Sequence, residues 1–207
     1  MTPSRGSPNL VLVSLVFWAS GFASLLYQVI WQRKLFTIYG TNIEAITVVV
    51  TAFMLGLGVG SLLGGALSRD PRRNILAIFG LVELGIAAYG AVSVPLIEWV
   101  GQRTLQVSLV GAGLLAFGLV LVPTLLMGST LPLLVAHLVR RTSDVGRSVG
   151  LLYFVNTLGA AAGAYAAVAF VLGRFGLAGS VWVAAGVNAL IGLLMLVEAR
   201  RSREATR

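Results

Sequence analysis

The residue best equipped for chemistry is Glu83, a lone acid inside the run IFGLVELGIAAYGAV. A charge at the centre of an apolar membrane-length segment costs about 2.5–3.5 kcal/mol on insertion scales, so such groups tend to face a bundle interior and mark solute pathways or proton relays. Glu83 is therefore a candidate cation or proton site, and the alternative is a neutral, hydrogen-bonded structural carboxyl. A second group stands in YQVIWQRKLF, where Tyr27, Gln28 and Trp31 lie beside Arg33 and Lys34. Aromatic rings next to cations commonly anchor a helix at the headgroups, and Tyr27, Trp31 and Tyr153 could also form cation–π walls for an amine. Glu44 is placed to pair with Arg33 or Lys34 across a short turn. The third polar spot is Asn156, followed by Thr157, in GLLYFVNTLGAAAGAYAAVAF, a stretch with no charged residue. An amide there either bonds to a neighbouring helix, a contact of about 0.6–2 kcal/mol, or lines a polar cavity. The candidate solute-binding set is thus Glu83, Tyr27, Gln28, Trp31, Tyr153 and Asn156.

Other chemistries are closed by composition. The 207 residues include no cysteine and one histidine, His137. Disulfides, thiolate nucleophiles and cysteine-held clusters are excluded, and a single histidine gives no ordinary multi-histidine metal or haem site. A Ser-His-Asp set has no plausible source, because His137 is expected at the end of a helix in an interfacial position. No catalytic, cofactor-binding or metal-binding residue is expected, and no cofactor.

The elements that position these residues follow from hydropathy. The chain is 57% hydrophobic and 11% charged, against about 25% charged in a typical soluble domain, with a mean hydropathy of +0.94. Apolar runs of roughly 20 residues cross about 30 Å of hydrocarbon as helix. Six are expected, at about 9–31, 43–67, 75–97, 107–139, 148–172 and 180–198. The fourth is long enough to tilt, kink or divide near Pro123 or Pro132. The runs are continuous instead of alternating, which disfavours a β-barrel, and backbone groups in lipid must bond within their own segment. The expected fold is all-α: one integral domain over 1–207, a six-helix polytopic bundle. The opening MTPSRGSPNL lacks the pattern of a cleaved signal, so the first helix is expected to be retained.

Of the fifteen Lys and Arg, six spans leave only Arg33, Lys34, Arg103 and Arg174 on one side. The positive-inside rule then makes both termini cytoplasmic. The net charge of +8 is accounted for by this topology and by contact with anionic headgroups, so the expected partner is the lipid bilayer and no nucleic acid is invoked.

Glycine spacing predicts the packing. FMLGLGVGSLLGGALS, with Ala52 before it, sets Ala52, Gly56, Gly60, Gly64 and Ser68 four apart, a smooth groove that a neighbouring helix can enter backbone to backbone. Gly159 and Gly163 repeat the device, and Asn156 is expected to face the same partner.

Two family resemblances follow from these stretches. The chain resembles half of a major facilitator transporter: its loop GGALSRDPRR is similar to that family's glycine-to-basic loop, with Gly64, Arg69, Arg72 and Arg73 matching, Ser68 in place of the usual Asp and Pro71 in place of Gly. The missing Asp puts the customary charge pairing with a neighbouring helix in question unless Asp70 substitutes. The second resemblance covers nearly the whole chain. GFASLLYQVIWQRKL, FMLGLGVGSLLGG, GRSVGLLYFVNTLGAAAGA and FVLGRFGL resemble the membrane region of bacterial spermidine-synthase-like proteins, also described as fused facilitator and spermidine synthase. The matching positions are Gly21, Tyr27, Gln28, Trp31, Arg33, Gly56, Gly60, Ser61, Gly64, Arg147, Gly150, Tyr153, Asn156, Thr157, Gly159 and Gly163. The resemblance implies a bacterial inner-membrane location and a helical part followed by a cytoplasmic, Rossmann-type aminopropyltransferase-like domain. That domain's glycine-rich loop and acidic pair have no counterpart here, so the chain itself is expected to be no enzyme, with a separate aminopropyltransferase-like protein as a possible partner. A facilitator fold needs two halves around a midplane cavity, which implies self-association or docking on another membrane protein. The expected function is transport or binding of a small, amine-like solute as a homo-oligomer; the alternative is a noncatalytic anchor or scaffold of a larger enzyme or membrane complex.

Overall fold

The computed structural model describes residues 10–40, 42–104 and 109–204. Among them the chain is all helix without a strand: α1 (Leu10–Tyr39), α2 (Asn42–Ser68), α3 (Ile75–Thr104), α4 (Leu109–Thr142), α5 (Val145–Ala166) and α6 (Leu172–Glu204), with a π-helical turn at Ala167–Val171 joining the last two. Arg5, Arg207 and the side chains of Glu44 and Arg141 lie outside the described residues.

Five segments among the described residues are long and apolar enough to cross a membrane: Leu10–Ile38, Ile46–Ser68, Ile75–Thr104, Val110–Arg140 and Val145–Glu204. This is the character of a multi-pass membrane protein, and it corrects the expected six separate spans to five. The runs expected at about 148–172 and 180–198 belong to one helical stretch of 60 residues. The intervening LGRFGLAGS holds no proline and no polar run to end a helix, and only Gly176 leaves helical geometry, at φ 62° and ψ −173°. Positive φ is a conformation glycine adopts without a Cβ clash.

The chain doubles back at that point. Trp18 and Phe22 of α1 meet Gly159 and Gly163 of α5 in the same order, so these helices run parallel. Ser20, Trp31 and Lys34 of α1 meet Glu83, Ser93 and Glu98 of α3, again parallel. Asn74, Gly80 and Glu83 of α3 meet Ala199, Gly192 and Asn188 of α6 in reverse order. Hence α5 and α6 lie antiparallel about Gly176. The start of α1 and the end of α6 come to the same end of the bundle, with the α2–α3 and α4–α5 connections.

The face of α2 bearing Gly56, Gly60 and Gly64 is filled by α4. A Cβ on Gly56 would meet Thr124, one on Gly60 the Leu125 carbonyl, and one on Gly64 Ser129 and Pro132. On α5, Gly159 and Gly163 lie against the Trp18 and Phe22 backbone of α1. Such approach supplies dispersion contacts in place of the hydrophobic drive that lipid lacks. Gly58 and Gly65, beside the groove, have nothing within 4 Å.

Helix α4 is one piece that contains both Pro123 and Pro132. A proline inside a helix frees the carbonyl four residues earlier, and in lipid that group needs another donor. For Pro123 the freed acceptor is the Leu119 carbonyl, and the Tyr89 hydroxyl of α3 donates to it at 2.5 Å. The α2–α3 loop is held from α4: the Arg140 guanidinium donates to the carbonyls of Ser68 (2.8 Å), Asp70 (2.9 Å), Pro71 (3.4 Å) and Arg73 (3.2 Å). Asp70 pairs with Arg73 of its own loop at 3.5 Å, so the neighbouring helix grips the loop through its backbone.

Candidate functional site

Glu83 is 0% exposed and lies where α1, α3 and α6 converge. Its two carboxylate oxygens each accept one hydrogen bond: Oε1 from the Ser20 hydroxyl of α1 at 2.7 Å, Oε2 from the Asn188 side-chain amide of α6 at 2.5 Å. Glycine makes this possible. One turn away, Gly80 and Gly192 face each other so closely that a Cβ on either would meet the other's carbonyl oxygen, at 2.9 and 2.8 Å. That contact draws α6 onto α3 and brings Asn188, 105 residues along the chain, to the carboxylate. Both carboxyl oxygens therefore have a partner, which offsets part of the cost of burying a polar group in an apolar bundle. No ion pair to Glu83 forms among the described residues. The Asn188 Oδ1 atom and the Tyr27 hydroxyl are buried without a hydrogen-bond partner.

Ser20 also faces a cavity of about 290 Å³ between α1, α2, α4 and α5, whose polar lining includes Ser24, Gln28, Thr130 and Asn156. Ser20 thus both lines this cavity and bonds to Glu83. A Cβ on Gly21 would run into the Asn156 backbone and side-chain oxygens, so the absent side chain lets Asn156 come up to α1.

The sequence-derived residues divide in three. Gln28 and Asn156 line the cavity, and Glu83 lies behind Ser20. Tyr27 and Trp31 are core: their rings stack at 5.1 Å, Trp31 packs against Phe53 at 6.0 Å and Tyr89 at 6.3 Å, and its indole N–H donates to the Ser93 hydroxyl at 2.9 Å. Gly90 gives the Tyr27 ring its place against α3. Tyr153 is 63% exposed on the outside of α5, apart from the others. Lys34 pairs with Glu98 at 3.1 Å, while the side chain of Glu44 lies outside the described residues. Two residues of the site were not anticipated. Asn188 carried the same signal as Asn156, a lone amide in an apolar span, here VWVAAGVNALIGLL; Ser20 carried none, being one small residue among many.

His137 is buried near the end of α4. Among the described residues no group of three or more His, Cys, Asp or Glu could hold a metal ion.

No family model matches the chain, and no solved structure matches it. The chain is 28% identical over 195 residues to polyamine aminopropyltransferase 1 of Streptomyces coelicolor, an alignment that covers 94% of this chain and 35% of that protein. The chain therefore spans about a third of the length of this relative. The match corrects the expectation of a protein that is no enzyme, because the protein it aligns with along nearly its whole length is named as a transferase. What is established is a distant likeness to a polyamine aminopropyltransferase, carried by an apolar, all-helical bundle.

Proposed function

We propose that the chain is the membrane-spanning part of a polyamine aminopropyltransferase-type protein, and that its internal cavity binds a protonated amine with Glu83 as counter-charge. In this reading the 60-residue run crosses twice, giving six passages, and the arginine-rich end is cytoplasmic by the positive-inside rule. The observation that carries the proposal is the Glu83 carboxyl group, fully buried, given two neutral donors and no cation among the described residues, with Ser20 both bonded to it and lining the cavity. An ammonium in the cavity meets the oxygens of Ser24, Gln28, Thr130 and Asn156. At a separation on the order of 6 Å, a carboxylate stabilises an ammonium by about 3 kcal/mol at an effective dielectric of ~20, about a hundredfold in affinity.

The test is equilibrium binding of 1,4-diaminobutane to the purified full chain. The expected result is saturable binding that weakens between tenfold and a hundredfold in Glu83→Gln, with no binding of the neutral 1,4-butanediol. Equal affinity of wild type and Glu83→Gln would overturn the reading. A second reading, a membrane anchor for a transferase portion, is favoured by the alignment to 35% of the relative; it expects no amine binding by this chain at all.

A further inference from the structure

A second cavity, of about 740 Å³, opens at the end of the bundle where α1 starts and α6 finishes. Its walls come from three places in the sequence: the α2–α3 loop with the start of α3, the end of α4, and the last turn of α6. Four guanidinium-bearing residues line it, Arg72, Arg73, Arg140 and Arg203, and no acidic residue does. Asp70, in the adjoining loop, is engaged by Arg73 at 3.5 Å and by the Arg72 backbone N–H at 2.9 Å. Arg140 spends its Nη donors on four loop carbonyls, which fixes the loop without neutralising the charge. Arg72, Arg140 and Arg203 form no ion pair among the described residues.

Cations gathered from separate elements repel one another, and the arrangement is relieved by an anion between them. The guanidinium fork matches phosphate oxygens in pairs. The inner wall is apolar, formed by Ile75 and Leu76, both buried. The 30-residue α3 also begins here, adding the positive end of its dipole to a site that already stands on the arginines. We infer that this cavity is a binding site for a phosphate group, presented by an anionic lipid headgroup or by a free phosphate-bearing solute. It is distinct from the amine cavity and independent of that proposal.

The test uses the purified full chain with two probes, inorganic phosphate in lipid-free detergent and phosphatidylglycerol in phosphatidylcholine nanodiscs, read by native mass spectrometry and 31P NMR. The expected result is one phosphate-bearing molecule per chain, with affinity at least tenfold lower in Arg72→Gln/Arg203→Gln and unchanged in Arg147→Gln, an exposed arginine at the same end but outside the cavity. Retention of phosphatidylglycerol against excess inorganic phosphate assigns the site to a headgroup; saturable binding of inorganic phosphate that displaces the lipid assigns it to a solute. Equal weakening in Arg147→Gln would mean diffuse surface charge and overturn the inference, as would absence of stoichiometric binding of either probe. Arg72 and Arg203 are exposed, so an unchanged thermal midpoint should accompany their replacement; Arg72→Lys/Arg203→Lys, which keeps the charge but loses the fork, should fall between the two.

Discussion

Replacing Gly60 by valine should leave little correctly assembled protein. A Cβ at this position would collide with the Leu125 carbonyl oxygen and lie 2.9 Å from the Leu125 carbonyl carbon and 3.0 Å from the Gly128 Cα. All three atoms are backbone, so no side chain can swing aside and α2 must lift from α4. Overpacking a well-filled site costs typically 1–3 kcal/mol, occasionally more. Here the displacement also loosens the Gly56–Thr124 and Gly64–Ser129 contacts, which puts the expected loss at or above that upper figure in a protein of about 5–15 kcal/mol total stability. Size-exclusion profiles and thermal midpoints in detergent measure it. Gly58→Val is the control: nothing lies within 4 Å of a Cβ there, and it should behave as wild type. Equal behaviour of the two variants would show that α4 does not occupy the groove.

The second large effect is at Asn188. Asn188→Leu removes the donor to Glu83 Oε2 and leaves a carboxylate oxygen buried without a partner. Leaving a buried polar group without its hydrogen-bond partner costs about 1–3 kcal/mol, more when the group is charged. The loss should be far smaller when Glu83 is already leucine, because the group that needed the donor is gone. The coupling between Asn188→Leu and Glu83→Leu, read as midpoints in a double-mutant cycle, should therefore exceed about 1 kcal/mol. Additive losses would mean that the two side chains do not meet.

Features confined to one helix were visible in the sequence, and features made by two helices were not. The four-residue spacing of Gly56, Gly60 and Gly64 is a property of one helical face, so a groove could be read from it; the helix that fills it, α4, could not. Glu83 stands out because an acid in an apolar run is costly wherever the run goes, whereas its donors Ser20 and Asn188 lie 63 and 105 residues away. Tyr27 and Trp31 beside Arg33 and Lys34 suit a membrane boundary or an amine site equally well by local pattern. Gly90 and Phe53, on other helices, are what make them core. The last two expected spans are one helical run of 60 residues, in which a single residue, Gly176 at φ 62°, turns the chain with no polar loop to mark the place. The likeness to aminopropyltransferase-type proteins was legible in the quoted stretches; the expectation that the chain is no enzyme is opposed by its alignment with a protein named as a transferase.

The most direct test of the proposed amine site watches Glu83 itself. Isotope-edited infrared difference spectra of the full chain in nanodiscs, recorded on adding 1,4-diaminobutane, should show the Glu83 carboxyl band shift as the cavity fills, and the shift should vanish in Glu83→Gln. Diamine binding that leaves the Glu83 band unmoved would place the amine elsewhere and contradict the account.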